Sequence, residues 1–200
     1  MKSESRNSHR ADSRAMQGHS IVVIEPNRQM QHLLRGMIAG FGCRDIRIFA
    51  DMDSAVASML TQPPSVLLMD WDAPPYGGRS LLKLIRHERM FPLCLTPIIA
   101  MFSVAMQKHV ESAMRLGAQA VLVKPVSPDV LYAHIEWVFH SERSLKLVGE
   151  RYVVAGMSEQ LDQETAKRKQ LASARQYQSE QLDQLNSIQD DVDRILGSSF

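Results

Sequence analysis

The chain has 200 residues, 44% of them hydrophobic and 22% charged, which suits one domain plus an extension and excludes wholesale disorder. Its 23 Lys and Arg stand against 22 Asp and Glu, a net charge of +1, so binding to nucleic acid by bulk charge is not expected. The two cysteines, Cys43 and Cys94, form no CxxC, which argues against a disulfide framework or a thiolate zinc site and makes the reducing cytoplasm the expected compartment.

Residues 1–18 carry four basic and two acidic groups and no apolar stretch of a secretory signal; they read as a disordered arm. Ser20–Ile24 is a continuous apolar run, the pattern of a strand buried on both faces. Met30, Leu33, Leu34, Met37, Ile38 and Phe41 follow at spacings of three and four, one apolar helix face ended by Gly42. Asp45–Phe49 reads as a short strand. Asp51 then caps a helix carrying Val56, Met59 and Leu60, stopped by Pro63 and Pro64. Val66–Met69 is a third buried strand, ending at Asp70. A loop with Pro74, Pro75, Gly77 and Gly78 leads to a helix marked by Leu81, Leu82 and Ile85. A fourth strand spans Pro97–Phe102. Val110, Ala113 and Met114 share one face of a helix closed by Gly117. Ala120–Val123 is a fifth strand. Ser127 and Pro128 cap and open a last helix, with Leu131, Ile135, Val138 and Phe139 on its apolar face. No apolar run approaches the ~20 residues of a membrane span.

Five strand-then-helix repeats predict an α/β fold: a five-stranded parallel sheet with helices on both faces, over residues 19–146. Ligands in such sheets bind beyond the carboxyl ends of the strands. There the sequence places Glu25 after strand one, Asp70 and Asp72 after strand three, Phe102 and Ser103 at the end of strand four, and Lys124 after strand five. Clustered carboxylates suit a hard divalent cation such as Mg²⁺. A lysine facing them can neutralise a phosphoryl oxygen, and an aspartate so placed can form an acyl phosphate. Each acid alone is more simply a helix cap or a solvated loop group; the joint pattern carries the signal.

The runs Ile-Val-Val-Ile-Glu25, Leu-Leu-Met-Asp70-Trp-Asp-Ala-Pro74 and Gly117-Ala-Gln-Ala-Val-Leu-Val-Lys124-Pro125 resemble the receiver domain of two-component response regulators. The resemblance covers residues 20 to about 140 and implies a flavodoxin-like fold. It implies that Asp70 is the phosphoacceptor, loaded by a histidine kinase or phosphotransfer protein. It implies that Glu25, Asp70 and Asp72 hold Mg²⁺, Asp72 through its backbone carbonyl, and that Lys124 contacts the phosphoryl group. Such a protein is not a turnover enzyme, and it signals to a downstream protein target. Two departures stand out. Pro26 replaces the second member of the family's acidic pair, which predicts weakened Mg²⁺ binding. The switch position of the family, usually Ser or Thr, falls on Phe102, with Ser103 one place later, and the coupled aromatic is Val121. Ser103 could serve only if the strand end slipped by one residue. An Asp72 carboxylate turned toward the metal is one way to restore the missing charge.

Two alternatives follow. The same fold with Pro26 and Phe102 could be a pseudo-receiver, an interaction module independent of phosphorylation. Asp70-Trp-Asp72 also resembles the DxD opening of haloacid-dehalogenase-like phosphatases, although that motif follows the first strand, and a downstream acidic pair for the metal is lacking.

Residues 147–157 read as a linker. Residues 158–197 have high helix propensity, without proline. Leu171, Gln178, Leu185 and Val192 recur every seven residues, a broken seam with polar members. A solvated helix and a helix for homodimerisation or partner docking both fit. Residues 157–200 carry five basic and eight acidic groups, net −3, and are too short for a helix-turn-helix output domain, so no direct DNA contact is expected.

Overall fold

The computed structural model describes the backbone of residues 16–141 and 144–197, and side chains as far as 179. The predicted alternation is present. The strands are β1 (Ser20–Ile24), β2 (Asp45–Phe49), β3 (Val66–Asp70), β4 (Ile98–Phe102) and β5 (Ala120–Val123). They form one parallel sheet in the order β2-β1-β3-β4-β5, the doubly wound order whose ligand crevice lies at the carboxyl ends of β1 and β3. The helices between and after them are α1 (Arg28–Gly40), α2 (Met52–Thr61), α3 (Gly77–Ile85), α4 (Gln107–Arg115) and α5 (Pro128–His140).

Side-chain alternation along the strands sorts the core into two layers. Val22, Ile24, Leu67, Met69, Ala100 and Phe102 pack with α2, α3 and α4. Ile21, Val23, Leu68, Ile99, Met101 and Leu122 pack with α1 and α5. Asp51, Asn27 and Ser127 cap their helices by accepting from the N–H three residues on, each holding an otherwise orphan donor.

Three expectations are corrected. Met16 is 1% exposed within the layer under α1 and α5, so the apolar end of the supposed arm belongs to the core; residues 1–15 lie outside the described residues. The expected linker at 147–157 is mostly a hairpin, β6 (Leu145–Val148) paired antiparallel with β7 (Arg151–Val154). Its two-residue turn places Gly149 at φ +62°, a geometry that matches strand twist and favours glycine. The fourth strand begins at Ile98, since Pro97 has no N–H for the ladder.

The chain divides into two compact units, the first ending at Met157 and the second beginning at Ser158. The second is the continuation of α6 (Met157–Gly197), one uninterrupted helix. Among the described residues no helix is long and apolar enough to cross a membrane.

Candidate functional site

Glu25, Asp70 and Lys124 meet at the carboxyl rim of the sheet. Glu25 follows β1 directly, and its N–H donates to the Phe49 carbonyl of β2 at 2.9 Å. Its carboxylate is 1% exposed and accepts the Asn27 N–H through Oε1 at 3.0 Å. Asp70 ends β3 and accepts the Asp72 N–H through Oδ1 at 2.7 Å. Lys124 follows β5, held by a 2.8 Å bond from its N–H to the Phe102 carbonyl. Parallel pairing of β1, β3, β4 and β5 thus brings residues 99 and 54 positions apart onto one ammonium. The Lys124 Nζ donates to Glu25 Oε2 at 2.9 Å and to Asp70 Oδ2.

Burial pulls the Lys124 ammonium toward its neutral form. The hydrogen bonds to Asp70 and Glu25 together outweigh that and hold its pKa above the ordinary 10.5. Two carboxylates share one cation, so the rim keeps a formal charge of −1. Asp70 is only 4% exposed, yet with Glu25, Lys124, Pro26, Met30 and Ser103 it borders an open cleft of about 410 Å³. A small or extended donor can reach the carboxylate from that side.

The remaining predicted residues divide. Asp72 touches Asp70 through its backbone N–H, while its side chain is exposed. The arrangement with the Asp72 carboxylate turned inward is not the one seen. Among the described residues no three His, Cys, Asp or Glu side chains have the spacing to hold a metal ion by themselves; Glu25 and Asp70 are the pair available to a cation. The strand end does not slip: Phe102 pairs with Val123. Phe102 turns into the layer under α2, α3 and α4, 1% exposed, and stacks on Trp71 with centroids 5.1 Å apart. Ser103 is exposed and borders the cleft without any slip, because β4 ends one residue earlier. Val121 is half-buried on β5, against the same layer as Phe102.

Trp71 supports the site in a way the strand pattern alone does not reveal, and Gly78, at the start of α3, packs on it. The Trp71 indole also lies 6.4 Å from the His109 ring of α4, so one aromatic group joins the ends of β3 and β4 to a helix. Gly78 packs against it so closely that a Cβ would lie 2.7 Å from the indole. The signal was the pairing of Trp71 with a large residue at 102, visible only once β3 and β4 are neighbours.

The model of the response regulator receiver domain matches residues 21–136. The chain belongs to the response regulator receiver family. A chemotaxis protein CheY homologue of Campylobacter jejuni is 25% identical over 58% of this chain and 88% of its own length. The transcriptional regulatory protein GltR of Pseudomonas aeruginosa is 30% identical over 60% of this chain and 48% of its own length. Among solved structures, the receiver domain of a sensor histidine kinase from Pseudomonas aeruginosa superposes with a TM-score of 0.55 and 28% identity, covering 60% of this chain and 98% of that one. That structure has a magnesium ion coordinated in its active-site cleft. Receiver domains are signalling modules rather than turnover enzymes. The Asp70-Trp-Asp72 stretch that resembles a phosphatase motif falls inside the receiver match.

Proposed function

We propose that this receiver accepts a phosphoryl group on Asp70 from a histidine kinase or phosphotransfer protein in the cytoplasm. On that reading it passes the signal to a downstream protein rather than to DNA. The observation that carries the reading is the convergence of Glu25, Asp70 and Lys124 on an open cleft.

Asp70 Oδ2 attacks the phosphorus of a phosphohistidine; the P–N bond breaks, and the leaving imidazole takes up a proton. The product is an acyl phosphate on Asp70. Asp70 Oδ1 is held by the Asp72 N–H, which orients the carboxylate. Lys124 exchanges its bond to Asp70 for one to the incoming phosphoryl oxygen and keeps its bond to Glu25, so the ammonium stays paired with anions. Ser103, at the cleft edge, is the hydroxyl in the vicinity of that oxygen.

The donor set fits a Mg²⁺ ion that keeps most of its waters, since such an ion needs only one or two carboxylates. Glu25 and Asp70 would supply them, with the Asp72 carbonyl as a third protein oxygen by resemblance to the family. When bound, the ion neutralises charge on the transferring phosphoryl group. Pro26 brings no carboxylate, so Mg²⁺ binding is expected to be weaker than with an acid at that position.

Acetyl phosphate with Mg²⁺, read by intact mass, tests the proposal. The expected result is one added phosphoryl mass that is absent in Asp70→Asn. No adduct with acetyl phosphate or with a phosphorylated histidine donor overturns it. That negative result is what the second reading, a phosphorylation-independent pseudo-receiver, predicts. Pro26 and the Phe102–Trp71 stack favour that reading, because an apolar ring stands where a switch hydroxyl would respond to phosphate.

For α6, we infer a contact role: Leu171 is 60% exposed and Tyr177 62% exposed, and in proteins most helical stability comes from packing an apolar face against a neighbour. A homodimer through this helix predicts twice the monomer mass in sedimentation, falling to the monomer value when residues 158–200 are removed.

A further inference from the structure

The hairpin β6–β7 is docked to the receiver at the edge opposite the phosphorylation rim. The Tyr152 N–H donates to the Arg86 carbonyl at 2.8 Å, the Glu88 N–H donates to the Glu150 carbonyl at 2.9 Å, and His87 pairs with Arg151 as a bridge. Close packing holds it there. Gly117, at φ +98°, leaves room for the hairpin: a Cβ would lie 3.0 Å from the Tyr152 carbonyl oxygen and 2.8 Å from Arg86 Nε. Beneath lies Arg86, fully buried and bonded through its guanidinium to the carbonyls of Cys94, Thr96 and Gly117 and to Gln119 Oε1.

This docking brings Arg151 beside Lys83, His87 and Arg89 around a hollow of about 450 Å³, with Leu84 and Met90 also lining it. Among the described residues, the side chains of Lys83, Arg89 and Arg151 make no hydrogen bond or ion pair. One carboxylate faces the group, Glu150, 3.4 Å from His87 Nε2. The end of α3 accounts for one of these cations, since a lysine in a last turn complements the helix dipole. It does not account for the two guanidiniums, which come from the segment after α3 and from the hairpin. Apolar surface lines the same hollow: Leu84 is 46% exposed and Met90 lies beside it, half-buried.

We propose that this hollow binds an acidic, amphipathic peptide segment of a partner protein. Arg89 and Arg151 receive its carboxylates in forked hydrogen bonds, and its apolar side chains lie on Leu84 and Met90. A protein segment fits better than a nucleic acid. The cations occupy one hollow rather than a stripe, the Glu150 carboxylate stands beside them, and the chain's net charge is only +1. Asp70 lies at the other end of the sheet, so the site does not depend on its chemistry.

The test is fluorescence polarisation of the full chain with a labelled 18-residue amphipathic helix of Glu and Leu. The controls are its Lys-for-Glu counterpart and a labelled 18-base-pair duplex. The expected result is salt-sensitive binding of the acidic peptide, weakened about tenfold or more by Arg89→Glu with Arg151→Glu. Unchanged circular dichroism and unchanged phosphorylation of Asp70 would show that the double variant is folded. Absence of binding overturns the proposal, as does equal binding by the double variant. Tighter binding of the duplex overturns it in favour of a polyanion site.

Discussion

The sheet carries a cation near each end, part-buried Lys124 at one and fully buried Arg86 at the other, and the two are built in opposite ways. At the carboxyl rim, Lys124 is shared by two carboxylates beside an open cleft. At the other end, Arg86 has no carboxylate partner; three carbonyls and one amide oxygen satisfy it in a closed interior. Burial lowers its pKa to about 9, so it remains charged at neutral pH. The rim holds surplus negative charge and a cation free to change partners, which is what group transfer requires. The Arg86 site has four acceptors closed around one guanidinium, one of them also tied to the Ile98 N–H, and nothing left to exchange, which is what a structural tie requires. Burial of charge alone therefore does not mark function; spare valence beside open space does.

The comparison breaks most visibly at Arg86. Arg86→Ala orphans three buried carbonyls, those of Cys94, Thr96 and Gly117, and leaves a cavity where the guanidinium was, while Gln119 Oε1 keeps the Ile98 N–H. The expected loss is about 4 kcal/mol, read as a fall in the urea midpoint. Arg86→Lys should recover little of it, because one ammonium cannot span the same acceptors. A loss below ~1 kcal/mol would show that the network is not a tie.

Lys124→Met comes next. It leaves two facing carboxylates without their cation and should cost about 2 kcal/mol in EDTA. The pH dependence has a definite sign. Because the folded pKa of Lys124 is raised, its contribution is fully present below 10.5 and is lost as pH rises through the folded value. The stability gap between parent and variant should therefore be flat from pH 7 to 10 and close above that. A gap that closes on acidification from pH 7 to 6 would assign the effect to another group.

Pro26→Asp is a smaller change and sharpens the description of the rim. A second acid beside Glu25 should tighten Mg²⁺ by roughly 10- to 100-fold in calorimetry, about 1–3 kcal/mol. Unchanged affinity would mean that position 26 does not face the ion.

The fold was legible because strand runs such as Val66–Met69 are apolar throughout, and because helix faces such as Leu34 and Ile38 recur with helical period. The rim was legible for the same reason: a parallel sheet places every strand end on one edge, so Glu25, Asp70 and Lys124 could be matched by position alone. What stayed hidden depends on contacts between elements. Arg86 reads as an ordinary charge at the end of a helix until the loops before β4 and β5 close over it. Met16 reads as part of a polar arm, yet its side chain completes the layer under α1 and α5. The hairpin was signalled by the alternation on either side of Gly149-Glu150, but that segment lies beyond the repeating strand–helix pattern. Ser103 could not be placed because the outcome hinged on where β4 stops, a one-residue matter.

On the proposed function Asp70 is the carboxylate that reacts and Glu25 is not, although both touch the same ammonium. Borohydride reduction after treatment with acetyl phosphate and Mg²⁺, followed by peptide mass mapping, tests it directly, because reduction converts an acyl phosphate into an alcohol at its own position. The account predicts homoserine at residue 70 and an intact Glu25. Reduction at Glu25 or at Asp72, or at no residue despite a phosphoryl adduct in the intact mass, would contradict it.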